Sequence, residues 1–225
     1  MTISLQGKVV VVTGGSRGMG KSMVEGFAAR GADLVIASRK FDNCVALAEQ
    51  AEHDHGARAL PEACNGSDWD QCNLLIDASY EHFGSLDVLI NNAGLSPFYD
   101  RPAGIGTRMA AGAGGSIITI SSIEAVRPGA NAVPYGAAKA GLNNMTIVLA
   151  QALGPTVAVN AIQRGPLLTD IAAHWSPEQQ ASYEQCLALN RRGRPNEIVG
   201  AAIYFATEAS SFATIAILSL DGGRA

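Results

Sequence analysis

Hydrophobic residues along this chain come in short, β-branched runs separated by longer amphipathic stretches. Val9-Val10-Val11-Val12, Leu34-Val35-Ile36-Ala37, Leu86-Asp87-Val88-Leu89-Ile90, Ser116-Ile117-Ile118-Thr119-Ile120 and Val157-Ala158-Val159-Asn160-Ala161-Ile162 are the clearest runs. Apolar segments this short and this continuous suit strands covered on both faces of a parallel sheet. A weaker strand is expected at Ala57–Cys64 and a last one within Ala213–Gly223. Helical periodicity marks Lys21–Arg30, Phe41–Gly56, Trp69–Phe83 and Tyr135–Leu153, and Pro195 opens a further helix that ends near Thr207. Gly31 and Gly84 stand where helices should stop. Strand and helix alternate, which predicts an α/β fold built on a parallel sheet.

Composition narrows the class. A chain of 225 residues, 48% hydrophobic, has enough apolar side chain for one well-buried core, so 1–225 is expected to be a single domain. A net charge of −4 provides no field to hold a polyanion, which argues against nucleic acid as a partner. The first residues have no basic segment leading into an apolar one, and no apolar run reaches membrane-spanning length. A soluble, cytoplasmic protein is expected. Cys44, Cys64, Cys72 and Cys186 form no C-x-x-C, so neither a disulfide framework nor a metal site is suggested.

Two stretches carry chemistry. After the first strand comes Thr13-Gly14-Gly15-Ser16-Arg17-Gly18-Met19-Gly20, followed directly by a helix and a second strand. Glycines at such a strand-to-helix turn let a pyrophosphate approach the N–H groups of the helix N-terminus. Glycine loops also join strands to helices in folds that bind nothing, but the strand before and helix after favour nucleotide binding. Further on, Tyr135 and Lys139 lie four apart on a predicted helix and so share a face. A cation beside a phenol favours its anion, so the pair is suited to proton transfer. Alone the pair is weak, because the same spacing arises on many helices as a surface contact.

The T-G-x-x-x-G-x-G spacing, with Tyr135 and Lys139 downstream, resembles the short-chain dehydrogenase/reductase family. The resemblance runs from Leu5 to Gly223. It implies a Rossmann-like, doubly wound parallel sheet of about seven strands with helices on both faces. It also implies reversible hydride transfer between NADP(H) and a carbonyl or secondary alcohol. Ser122 precedes Tyr135 by the family's spacing, so Ser122, Tyr135 and Lys139 become the expected catalytic residues. Dinucleotide contacts are implied for Gly14, Ser16, Arg17, Gly18, Met19 and Gly20, for Ser38 and Arg39, and for Asn65 and Gly66 near the adenine. The same holds for Asn92, Ala93 and Gly94 of the N-N-A-G turn, for Tyr135 and Lys139 themselves, and for Gly165, Leu167 and Thr169 of the turn that closes over the nicotinamide. An acidic residue after the second strand would accept from the ribose 2′-OH, whereas this chain has Ser38-Arg39-Lys40 there and Arg17 in the glycine turn. Paired guanidiniums suit a 2′-phosphate, which points to NADP, with NAD as the alternative. The family further implies a small-molecule substrate and a homo-oligomer, a dimer or a tetramer.

The chain departs from the family in four places. Leu95–Gly115 is a short, Gly- and Ala-rich crossover in which no residue can be assigned as the Asn that usually extends the proton relay from the lysine. Either the helix carrying that Asn has been lost, or residues are missing at the abrupt junction Asp100-Arg101-Pro102, which is the favoured reading. Arg164 stands where the family has Pro, Ile215 where it has Gly, and Asn65-Gly66 where it has Asp and an apolar residue. The segment 170–192 is read as a substrate lid, in which His174 is expected to be an exposed residue and not an acid or base. Arg164, Ile215 and the missing Asn motivate a rival reading, a non-catalytic nucleotide-binding or scaffold protein on the same fold. The intact Ser122, Tyr135 and Lys139 argue against it.

Overall fold

A computed structural model describes residues 3–92, 104–129, 132–168 and 177–224. Seven strands form one parallel sheet: β1 (Val9–Thr13), β2 (Asp33–Ser38), β3 (Ala59–Ala63), β4 (Val88–Asn91), β5 (Gly115–Ser122), β6 (Val157–Arg164) and β7 (Ile217–Leu220). Their order across the sheet is β3-β2-β1-β4-β5-β6-β7. The chain therefore winds outward from β1 to β3, returns to the far side of β1 and winds the other way. Ligands of open α/β sheets bind at such a switch point, at the carboxyl ends of the strands, here those of β1 and β4.

Among the described residues there are seven α-helices: α1 (Gly18–Ala28), α2 (Phe41–His55), α3 (Trp69–Phe83), α4 (Gly104–Ala111), α5 (Val133–Leu153), α6 (Pro177–Gln185) and α7 (Val199–Phe205). Strand side chains alternate between faces, and the alternation in β1 divides the core in two. Val10 and Val12 pack with Phe27 of α1, Leu47 of α2 and Ile203 of α7. Val9 and Val11 pack with Ile76 of α3, Met109 of α4 and Leu153 of α5. That is the doubly wound arrangement, with helices on both faces.

The observed elements refine several expected boundaries. β6 runs on through Arg164, so this residue ends a strand instead of starting a loop, and Ser122 and Arg164 are Cα partners across the β5–β6 pair. β7 lies within the expected range and follows Ile215, which turns the chain with φ +65°, in the left-handed region where a β-branched residue is strained. Within the Gly- and Ala-rich crossover lies α4, eight residues long. The crossover junction at Asp100-Arg101-Pro102, together with Ala93, Gly94, Thr169 and His174, lies outside the described residues. Among the described residues no helix is long and apolar enough to cross a membrane.

Candidate active site

At the C-terminal end of β1 the glycine turn is held by both neighbouring strands. Gly15 N donates to Ala37 O of β2 at 3.1 Å. Asn92, just past β4, donates through Nδ2 to Thr13 O at 3.0 Å and to Gly14 O at 3.1 Å. Gly14 and Gly18 have φ of +63° and +54°, which explains glycine at both. Gly20 is needed for space, since a Cβ there would overlap Gly14 O and stand 2.8 Å from Asn92 Nδ2. Arg17 occupies the N-cap of α1 and its side chain makes no capping bond. The first N–H groups of α1 are therefore not capped by a side chain, and with the helix dipole they suit a phosphate. Ser16 and Met19 lie in the same turn.

Around this turn the other expected dinucleotide residues are set out along the strand ends. Ser38 closes β2, its Oγ accepting from Lys40 N at 3.2 Å. Arg39 is exposed and, among the described residues, has no ion pair. Asn65 Oδ1 is used within its own turn, accepting from Ser67 N at 3.3 Å and Ser67 Oγ at 2.8 Å, with Gly66 between them. On the far side, Gly165 has no room for a side chain because a Cβ would lie 2.5 Å from Asp221 Cα. Leu167 is buried and bridges to Gly193. A depression of 480 Å³ beside Leu167, Leu189 and Gly222 has none of Ser122, Tyr135 or Lys139 in its wall.

The helix α5 carries the Tyr–Lys pair. Pro134 in its first turn suits a helix start, and the buried stripe Lys139, Asn143, Thr146, Ala150 and Leu153 turns one face to the sheet. Tyr135 precedes this stripe by one turn and stays 38% exposed, whereas Lys139 is only 6% exposed. The Lys139 ammonium sits 5.8 Å from the centre of the Tyr135 ring and donates to Ile120 O of β5 at 2.8 Å. Burial first, then the charge of Arg164, push the Lys139 pKa down to about 8. Ser122 ends β5 and is buried, its Oγ accepting from Glu124 N at 3.3 Å. Ser121 differs in its partner, donating to Lys139 O at 3.3 Å. The structure thus brings Ser122, Tyr135 and Lys139 to the carboxyl end of the sheet, with no bond between the serine and the phenol.

Two features were not assigned a role from the sequence. Arg164 Nη2 donates to Tyr135 Oη at 3.1 Å and Nη1 to Gly165 O at 3.1 Å. Deeper in the core, Asn143 Nδ2 donates to Gln163 Oε1 at 3.2 Å and Gln163 Nε2 to Ser219 Oγ at 3.1 Å, while Asn143 Oδ1 is buried with no partner among the described residues. The part of the expected lid that is described is tethered. Arg192 of that segment donates to Glu184 at 2.9 Å and Gln180 at 2.7 Å, and Arg224 bonds both Tyr183 and Glu124. Among the described residues no group of His, Cys, Asp or Glu is placed to hold a metal.

Comparison with known proteins settles the family. Residues 8–104 match the model described as short chain dehydrogenase, and residues 104–225 match the one described as Enoyl-(Acyl carrier protein) reductase. The chain belongs to the short-chain dehydrogenase/reductase family. L-rhamnose 1-dehydrogenase (NAD(P)(+)) of Azotobacter vinelandii is 33% identical, with 96% of each chain aligned. This alignment spans 246 positions, more than the 225 residues present here, so that relative carries residues which this short-chain dehydrogenase/reductase lacks. Among solved structures, a 7α-hydroxysteroid dehydrogenase complexed with NADH superposes with a TM-score of 0.90 at 26% identity, covering 99% of this chain and 96% of that one. L-sorbose reductase from Gluconobacter frateurii, complexed with NADPH and L-sorbose, gives 0.87 at 26% identity, covering 100% and 98%.

Proposed function

We propose that this chain transfers a hydride reversibly between NADP(H) and a carbonyl or secondary alcohol through Ser122, Tyr135 and Lys139. The observation that carries the reading is Lys139: an ammonium almost wholly buried, beside an accessible phenol, in a family of dehydrogenases and reductases. Burying a lysine is costly and serves no packing purpose that Met or Leu would not serve better.

The glycine turn, the side-chain-uncapped start of α1 and the missing space at Gly20 fit a dinucleotide pyrophosphate. Bound there, the nicotinamide cofactor supplies the hydride. Tyr135 Oη gives the proton to the carbonyl oxygen in reduction and takes it back in oxidation. Ser122 Oγ donates a hydrogen bond to the same oxygen. Lys139 keeps positive charge beside the phenol as it loses its proton, a form of fixed electrostatic stabilisation. Arg39, exposed and without an ion pair among the described residues, and Arg17 supply guanidiniums for a 2′-phosphate, which favours NADP over NAD.

The crossover 95–115 is read as shortened, and the segment 170–192 as a substrate lid. The assembly is taken to be a homo-oligomer and the location cytoplasmic. Titration of the full chain with NADPH and NADH, followed by a panel of carbonyl substrates, tests the reading. Tight dinucleotide binding with turnover supports it. Dinucleotide binding without turnover on any substrate would favour the scaffold alternative.

A further inference from the structure

Arg164 is the one charged group touching Tyr135 that the reaction above leaves without a task. It ends β6 opposite Ser122 on β5, and neighbouring strands lie about 4.8 Å apart. Its Nη2 donates into the lone pair of Tyr135 Oη at 3.1 Å, and its Nη1 into Gly165 O at 3.1 Å. The phenol's own hydrogen therefore stays free to donate to a substrate. A guanidinium has donors beyond those two, in a planar fork suited to a carboxylate. Among the described residues no carboxylate takes them. Glu124, which shares the surroundings of Tyr183 with Arg164, is already held by Arg224 at 3.1 Å and by Gly129 N at 2.6 Å. The side chain is only partly exposed, and its charge is felt at Lys139. A partly desolvated cation with no counter-anion among the described residues, bonded to the phenol oxygen, is suited to receive an anion.

We propose that Arg164 determines specificity by receiving a carboxylate borne on the carbon next to the reacting carbonyl, so that the substrates are 2-oxo acids and, in reverse, 2-hydroxy acids. The proposal rests on the Ser122–Tyr135–Lys139 reading and names the substrate class of that site. In reduction the carbonyl carbon gains the hydride, its oxygen gains the Tyr135 proton, and the carboxylate passes through unchanged while the reduced dinucleotide is oxidised. The reach is set by geometry. A carbonyl oxygen bonded to Tyr135 Oη lies at about 3 Å from it, and Arg164 Nη2 is 3.1 Å from the same Oη. The carbonyl oxygen and the guanidinium thus lie within about 6 Å of each other across Oη, a span that a carboxylate on the adjacent carbon can bridge.

The test uses the full chain with 2-oxobutanoate and its methyl ester, which lacks the negative charge and carries one added methyl group. Wild type is expected to prefer the acid in kcat/KM by about 100-fold or more, the discrimination of a site built around one polar substrate group. Arg164→Gln should bring that ratio close to one and Arg164→Lys should keep part of it. Thermal melting of each variant establishes that it is folded. Calorimetric binding of 2-oxobutanoate in the presence of oxidised dinucleotide, where no reduction can occur, gives a readout independent of turnover. Binding that is lost in Arg164→Gln but kept in Tyr135→Phe supports the assignment even if turnover fails, in which case the hydride-transfer reading falls and the receptor stands. A wild-type ratio near one, a preference for the ester, a ratio unchanged in Arg164→Gln, or no binding of the acid overturns it.

Discussion

Replacing Lys139 by Met should separate what this residue costs the fold from what it does for the site. The ammonium titrates near pH 8 in the folded chain against an ordinary value of 10.5. The unfolded chain thus holds the proton more tightly than the folded one, and protonation opposes folding. At about 1.4 kcal/mol per pKa unit the penalty is about 3 kcal/mol. It is present in full below pH 8 and disappears as pH rises through the ordinary lysine range. Met removes the penalty at every pH, but it leaves Ile120 O without the donor it has at 2.8 Å. An unsatisfied buried carbonyl costs about 1–3 kcal/mol. Near pH 7, Lys139→Met should therefore be as stable as wild type or up to about 2 kcal/mol more so. Urea unfolding at about pH 7 and about pH 10 tests this, because other titrating groups cancel when the variants are compared at each pH. Wild type should gain about 2–3 kcal/mol on the variant across that interval. A difference that stays flat with pH would show that Lys139 is not held with a depressed pKa, and the argument for a buried functional ammonium would be lost.

Three further outcomes are expected. Ile215 and Ile217 are equally exposed, at 38% and 37%, but only Ile215 has φ in the left-handed region. Ile215→Gly should then cost about 1–2 kcal/mol less than Ile217→Gly in chemical denaturation, and equal costs would remove the strain argument. Gly20→Ala places a methyl against Gly14 O and Asn92, so it should lose about 1–3 kcal/mol of stability and most of its dinucleotide affinity. Unchanged NADPH binding by titration would separate this turn from the cofactor site. Arg39→Asp should shift the ratio of NADPH to NADH efficiency towards NADH, and an unaltered ratio would assign the 2′-phosphate elsewhere.

The alternating pattern made the fold legible because each buried strand is a short apolar run and each helix has its own stop. Val9–Val12 and Trp69–Phe83 could be placed within a residue, since burial on both faces and the glycine at position 84 leave little choice. The pairing of Tyr135 with Lys139 followed from helical spacing. Sequence could not give the register between β5 and β6, which depends on packing across strands distant in the chain. For that reason Arg164 read only as a departure from the family's Pro, when it is a strand-end residue paired with Ser122 and bonded to Tyr135. The Asn143–Gln163–Ser219 chain was hidden for the same reason, its members lying on three elements far apart in the chain. Ile215 was visible as a departure, but only the backbone shows that the chain turns left-handed there.

The most direct test of the central claim is turnover by Tyr135→Phe, measured with NADPH on a substrate that wild type reduces, beside dinucleotide affinity by titration. Removing one hydroxyl from a residue 38% exposed should leave the fold and the affinity near wild type. The account predicts that reduction falls by at least about 100-fold, the usual contribution of a positioned proton donor. Near-normal reduction by Tyr135→Phe would contradict it.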